Sequence, residues 1–280
     1  MTSQAPIRAR SWLFTPATRP ERFAKASQAG ADVAILDLED AVAPGDKARA
    51  RTNALDYLTK NPSDGALHAL RINGLDTRAG ISDLDALLGS TAAPDFLVLP
   101  KTETAGHIEI LDRLLTAAGK ATRLIGLIES ARGLAAVEAI ATATPRLAGL
   151  MLGAADMAAD LGATVAWEPL AFVRSRLIAA CALAGAVSVD SPYFDLHDEP
   201  GLKQEVNGAV KFGFSAKAAI HPGQIGAINA ALTPSAEALK RARAILAENT
   251  KGVGTVDGQM IDEAVARKAR RTLFSAGLEA

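Results

Sequence analysis

Two acids stand at the ends of apolar runs, where a carboxylate is costly without a purpose. The segment RLIGLIE (123–129) is apolar from 124 to 128 and stops on Glu129. Twenty-seven residues later the pattern repeats: LAGLML (147–152) runs into Gly153-Ala154-Ala155 and then Asp156. Each reads as a buried strand that delivers an acid to its C-terminal end. Neither Glu129 nor Asp156 has a Cys or His beside it, and both are hard oxygen donors, so the ion they suit is Mg²⁺ or Mn²⁺ rather than Zn²⁺. Alone, either acid could be a cap or half of an ion pair; the pair in this setting points to a metal site. Asp160, one helical turn after Asp156, reads as a solvated or capping side chain.

Arg71 closes another apolar run in LHALRING (67–74). A guanidinium there can hold a carboxylate bidentately or stabilise an enolate oxygen; the plainer alternative is a structural pair with Asp37 or Glu39. Those two acids lie two apart and share a face if the strand extends that far. They can orient metal-bound water or hold Arg71 and Lys101 in place, a supporting role that puts Glu39 in the catalytic group. His221, before Pro222, reads as a structural residue at a strand-to-helix junction.

Elements must bring these residues together. Segments of about five residues rich in Val, Ile, Leu and Phe alternate with longer helical patterns, which indicates βαβ units around a parallel sheet. The strands are expected at 11–15, 33–38, 67–72, 96–100, 123–128, 147–152, 186–190 and 217–220, with an Ala-rich helical pattern at 134–143. Eight such units within about 220 residues fit a (β/α)8 TIM barrel better than a doubly wound sheet, and no GxGxxG follows the first strand. The barrel builds its active site at the C-terminal ends of its strands. Read in order, those ends carry Thr15 and Arg19; Asp37, Glu39 and Asp40; Arg71 and Asn73; Lys101 and Glu103; Glu129; Asp156; Asp190; and His221. The barrel is expected to occupy 1–232, with a C-terminal helical extension at 233–280. In that extension 235–248 reads as a helix, 249–258 with Gly252, Gly254 and Gly258 as a flexible connection, and 262–274 as a basic amphipathic helix. An arm of this kind often packs on a neighbouring subunit.

Composition bounds the function classes. Apolar residues make up 49% and charged residues 22% of the chain, as in ordinary soluble proteins, and the net charge is −1 without a basic cluster, so neither nucleic acid nor an anionic membrane is an expected partner. The N-terminus has no apolar signal region, and the uncharged run 177–189 is too short to span a bilayer at about 20 residues, so a cytoplasmic location is expected. The single cysteine, Cys181, lies on an apolar helical face and reads as core.

The motifs LFTPATRPERFAKA (13–26), ILDLEDAVAPGDKARAR (35–51), LRING (70–74), LPKTE (99–103), LIESARG (127–133), LGAADMAADLG (152–162), IHPGQI (220–225) and DGQMID (257–262) together resemble the HpcH/HpaI aldolase and citrate lyase β-subunit-like family over nearly the whole chain. The resemblance implies a TIM barrel that cleaves or forms carbon–carbon bonds in β-hydroxyacyl thioesters with Mg²⁺. It also implies Glu129 and Asp156 as metal ligands, with Glu129 at the substrate too, and Arg71 as the arginine on the substrate and enolate oxygen. Phe14, Arg19 and Lys25 correspond to coenzyme A contacts. Asp262 corresponds to an aspartate that one subunit's C-terminal arm places in the next subunit's active site, where it would act as the base; an ordinary helix-start aspartate is the alternative. A homotrimer or hexamer is implied as well. Ala17, where glycine is common, and Ser215-Ala216-Lys217, in place of Asp-Gly-Lys before the eighth strand, depart from the family pattern and bear on substrate identity rather than the metal site.

The expected function is therefore a Mg²⁺-dependent lyase that takes an acyl-CoA such as malyl-CoA or citramalyl-CoA to acetyl-CoA and a 2-keto acid, or runs in reverse. The alternatives are the citryl-carrier-protein lyase subunit of a citrate lyase complex, a class II aldolase acting on a free hydroxy-keto acid, and a non-catalytic barrel, which would leave Glu129 and Asp156 unexplained.

Overall fold

The computed structural model describes residues 7–61, 65–250 and 254–278. The chain divides into two compact units between Ile228 and Asn229.

The first unit is a closed barrel of eight parallel strands in sequence order: β1 (Ser11–Pro16), β2 (Val33–Asp37), β3 (Leu67–Arg71), β4 (Phe96–Leu99), β5 (Arg123–Ile128), β6 (Leu147–Leu152), β7 (Val187–Asp190) and β8 (Ala216–Ala219). Every expected strand forms, with ends shifted by no more than a residue. Pairing of β1 with β8 through Ser11 and Lys217 closes the cylinder.

Alternation along each strand sorts the side chains into two shells. Trp12, Val33, Ile35, Ala69, Phe96, Val98, Ile125, Leu127, Met151, Val189, Ala216 and Ala218 pack together inside. Leu36, Leu38, Leu70, Ile72, Leu97, Leu99, Leu124, Ile128, Leu150 and Leu152 face the helices. Each Leu or Ile taken fully out of water stabilises the fold by roughly 1.5–3 kcal/mol, so either register slip would be costly. Alternation also fixes what comes next on the inner rows: Asp37 after Val33 and Ile35, Arg71 after Ala69, Glu129 after Ile125 and Leu127. Cys181 is buried in the outer shell, where desolvation pushes its thiol up to about 12.

Three expectations about this unit are corrected. The helical pattern at 134–143 is two short helices, Ala131–Ala135 and Val137–Ala141, interrupted at Ala136. Asp190 does not face the barrel mouth, because Val189 takes the inner position and turns Asp190 outward onto Lys217 at 2.7 Å and Arg174 at 3.1 Å. Ala216 lies within β8 rather than before it, and Lys217, in the strand as expected, is fully buried between Asp190 and Glu205.

The second unit pairs helix Ala236–Asn249 with helix Glu263–Ser275 around Ala242, Ile245, Ile261, Ala269 and Leu273. Ser235 caps the first helix through its hydroxyl, which accepts from Ala238 N–H at 3.1 Å. Where a flexible connection was expected, β9 (Gly254–Val256) and β10 (Gln259–Ile261) form an antiparallel hairpin. Asp257 at φ 51° and Gly258 at φ 75° make its two-residue turn, the backbone that Asp-Gly favours in hairpins. Gly252 lies outside the described residues. No helix among the described residues is long and apolar enough to cross a membrane.

Candidate active site

The inner rows of β2, β3 and β5 end together at the C-terminal mouth of the barrel. Asp37 and Arg71 are register partners across β2 and β3. Arg71 Nε and Nη2 each donate to an Asp37 carboxylate oxygen at 2.7 Å. Phe14 of β1 covers the guanidinium with its ring centroid 4.7 Å from Cζ, a cation–π contact that also excludes water. Burial opposes the charge on Arg71, but Asp37, Glu39 and Asp40 outweigh it and raise its pKa. Asp37 also accepts from the Glu39 N–H at 2.9 Å, which turns the chain at the strand end and brings Glu39 back over Arg71. Glu39 Oε2 lies 2.8 Å from Arg71 Nη1, an ion-pair distance without hydrogen-bond alignment, so this buried oxygen has no hydrogen-bond donor among the described residues. Burial, only partly offset by Arg71 and reinforced by Asp40 and Asp37, pushes Glu39 up to about 7.

Glu129 is 4% exposed. Its Oε1 accepts from the Lys101 backbone N–H at 2.7 Å, and Lys101 adopts φ 47° to aim that donor. A left-handed backbone at a non-glycine residue costs on the order of 1–3 kcal/mol and persists where the surroundings hold it. The Lys101 ammonium lies 3.9 Å from Glu39 and feels Glu129 and Asp156 as well; these carboxylates overcome its desolvation and raise its pKa. Burial, then the charge of Glu39, pushes Glu129 up to about 8, against the Lys101 N–H. Gly153 makes room for this side chain, since a Cβ there would sit 2.5 Å from both Cβ and Oε2 of Glu129. Asp156 is exposed in the first turn of helix Ala154–Leu161.

Phe14, Asp37, Arg71, Glu129, Gly153 and Asp156 line one cavity of about 370 Å³. Its acids are carboxylates with no Cys or His on the wall. Among the described residues no group of three or more His, Cys, Asp and Glu forms a closed ligand cage. Two hard carboxylates at an open cavity, one of them buried beside a second underbonded acid, fit a cation that takes its other ligands from water and substrate, as Mg²⁺ does.

A family model for HpcH/HpaI aldolase/citrate lyase matches residues 10–222. The chain belongs to this family. Among its relatives in the family, an L-malyl-CoA/beta-methylmalyl-CoA lyase of Rhodobacter capsulatus is 36% identical, over 93% of this chain and 92% of the relative. The crystal structure of RipC from Yersinia pestis is similar at 58% identity and TM-score 0.74, covering 82% of this chain and 97% of that one. The Mycobacterium tuberculosis protein CitE, in complex with magnesium, acetoacetate and coenzyme A, is similar at 37% identity and TM-score 0.81, over 96% of this chain and 98% of that one.

The residues picked from the HpcH/HpaI-like motifs do not all gather at one place. Phe14, Glu39, Arg71, Glu129 and Asp156 meet at or against the barrel mouth. Lys25 is exposed and, with Phe14, Arg22 and His221, lines a neighbouring cavity of about 320 Å³. Arg19 is exposed and lines neither cavity. His221 is a cap, its Nδ1 accepting from Gly223 N–H at 3.1 Å. Asp160 caps too, accepting from Ala131 N–H at 2.6 Å. Asp262 is the N-cap of helix Glu263–Ser275, where its Oδ1 accepts from Val265 N–H at 2.9 Å. Pro192 and Phe194 of the cavity walls lie outside the motifs, and Arg22, though inside the motif at 13–26, carries no role expected from the sequence.

Proposed function

We propose that the chain is a Mg²⁺-dependent carbon–carbon lyase that cleaves, or forms, a β-hydroxyacyl-CoA such as malyl-CoA or citramalyl-CoA. The products of cleavage are acetyl-CoA and a 2-keto acid, released by a retro-Claisen, aldol-type reaction. The observation that carries this reading is one cavity in which a buried guanidinium, clamped by Asp37, faces the same space as Glu129 and Asp156.

Glu129 and Asp156 are the proposed ligands of Mg²⁺, which when bound supplies Lewis acidity toward the oxygens of the keto-acid half. Arg71 gives two of its five N–H donors to Asp37 and one, at 3.4 Å, to Asp40, and keeps the remaining two for the thioester oxygen, which gains charge as the carbon–carbon bond breaks. Because the clamp is formed before substrate arrives, that stabilisation requires little rearrangement. Glu39 and Phe14 hold Arg71 in place from two sides. Asp262 is the proposed base for the hydroxyl proton, supplied by a neighbouring copy of the chain in a homotrimer or hexamer. Lys25, Phe14 and Arg19 are the proposed coenzyme contacts, and the proposed location is the cytoplasm.

The test is turnover of a small panel, malyl-CoA, citramalyl-CoA and a free 4-hydroxy-2-keto acid, with acetyl-CoA and keto acid measured together. Stoichiometric release from a coenzyme A ester is expected. Cleavage of the free hydroxy-keto acid alone would move the reading to a class II aldolase.

A further inference from the structure

At the opposite end of the barrel, where the strands begin, Ile7, Leu67, Pro94, Phe96, Thr122 and Arg123 border another cavity, of about 530 Å³. Arg123 is the first residue of β5 and shares the inner row with Ile125, Leu127 and Glu129. At about 3.3 Å per residue, the strand places this arginine roughly 20 Å from Glu129, so the cavity is separate from the candidate active site.

Arg123 differs from the other arginines built into this unit. Arg10, Arg51, Arg71, Arg146, Arg174 and Arg176 each hold a carboxylate at 3.1 Å or less. Arg123 holds none among the described residues, and its Nε is buried with no hydrogen-bond partner. The acid on the cavity wall, Asp95, accepts from the His68 N–H at 2.8 Å. Arg8 lines the same cavity. Burial lowers the pKa of Arg123, with no carboxylate among the described residues opposing it. A partly desolvated cation without a counter-charge is destabilising, and a guanidinium presents a planar fork suited to two oxygens of one anion.

We propose that this cavity binds a small oxyanion, a phosphate or carboxylate group, held by the Arg123 guanidinium. The occupant supplies the counter-charge that the described residues do not provide.

Thermal midpoints of the full chain, measured against inorganic phosphate and separately against malonate at constant ionic strength, test this. The wild type is expected to show a saturable rise with at least one of the two anions, and the anion that works distinguishes phosphate from carboxylate. Arg123→Met is expected to match or exceed the wild-type midpoint in anion-free buffer and to need at least about tenfold more anion for the same shift. Arg123→Gln, which keeps donors but not the charge, must weaken the response as well. Anions bound elsewhere affect all three proteins alike, so the difference isolates Arg123. No rise with either anion, or equal responses in the three proteins, would overturn the proposal. A sharp loss of stability in both variants without anion would also overturn it, by revealing a partner for the guanidinium within the protein.

Discussion

Asp37 and Arg71 face each other in register across β2 and β3, joined by two hydrogen bonds of 2.7 Å, and both are buried. The pair is a fixed donor array at the barrel mouth, and its two halves should fail differently. Asp37→Asn leaves a buried guanidinium short of its main counter-charge and is expected to cost about 3–5 kcal/mol of stability in urea unfolding. Arg71→Lys keeps the charge but loses the fork. Its kcat is expected to fall by roughly 10²–10³, the usual loss when a preorganised donor at a developing oxyanion is removed.

The pH dependence follows from Glu129. In the unfolded chain this carboxyl loses its proton near the ordinary glutamate value of 4.5, and in the fold it keeps it to about 8. Between those values the native state binds more protons than the unfolded state. Without metal, the stability this group contributes is therefore present below pH about 4.5 and lost as pH rises toward about 8. Mg²⁺ competes with the same proton, so its affinity should rise across that window and level off above it. Melting curves in a chelator and calorimetric titrations at several pH values check both slopes. Glu129→Gln should reduce the first to the share that Glu39, itself pushed up to about 7, contributes in the same window, and abolish the second.

Gly153 tests whether the placement of Glu129 matters beyond its chemistry. Its backbone φ of −94° suits any residue, but an added Cβ would meet Glu129 at 2.5 Å. Gly153→Ala is expected to keep the fold, lose about 1–3 kcal/mol through overpacking, and bind Mg²⁺ roughly 10–100-fold more weakly by calorimetry.

Lys217 provides the contrast, a buried charge with a structural task. It bonds Asp190 at 2.7 Å, Glu205 at 2.8 Å and the Ser191 carbonyl at 2.7 Å, behind the barrel wall rather than in its mouth. Lys217→Met is expected to cost about 3–5 kcal/mol of stability and, at temperatures where the variant is folded, to leave kcat unchanged.

Much of this was legible in the sequence because apolar runs and their polar ends carry positional information. β5 and β6 have the bounds expected of them, since each is an unbroken apolar segment closed by a turn. Asp190 was misplaced at the rim because a strand end alone does not say which side a residue faces. The inner row of β7 passes through Val189, and parity sends Asp190 outward. Lys217 gave no signal, because a lysine among alanines looks exposed until Asp190 and Glu205 converge on it from distant positions. The hairpin at 254–261 was hidden by its three-residue strands, although Asp257-Gly258 is a turn signature. The closeness of Lys101 to Glu129 depends on a left-handed backbone at a non-glycine residue, which residue type does not announce.

The central claim is that Glu129 and Asp156 hold the ion on which carbon–carbon cleavage depends. The most direct measurement is acetyl-CoA release from malyl-CoA or citramalyl-CoA as Mg²⁺ is titrated into chelator-treated wild type, Glu129→Gln and Asp156→Asn, with Mg²⁺ binding followed by calorimetry in the same samples. The account predicts saturable cleavage in the wild type that tracks metal occupancy, with binding and turnover lost together in both variants. Undiminished cleavage without Mg²⁺, or variants that turn over like the wild type, would contradict it.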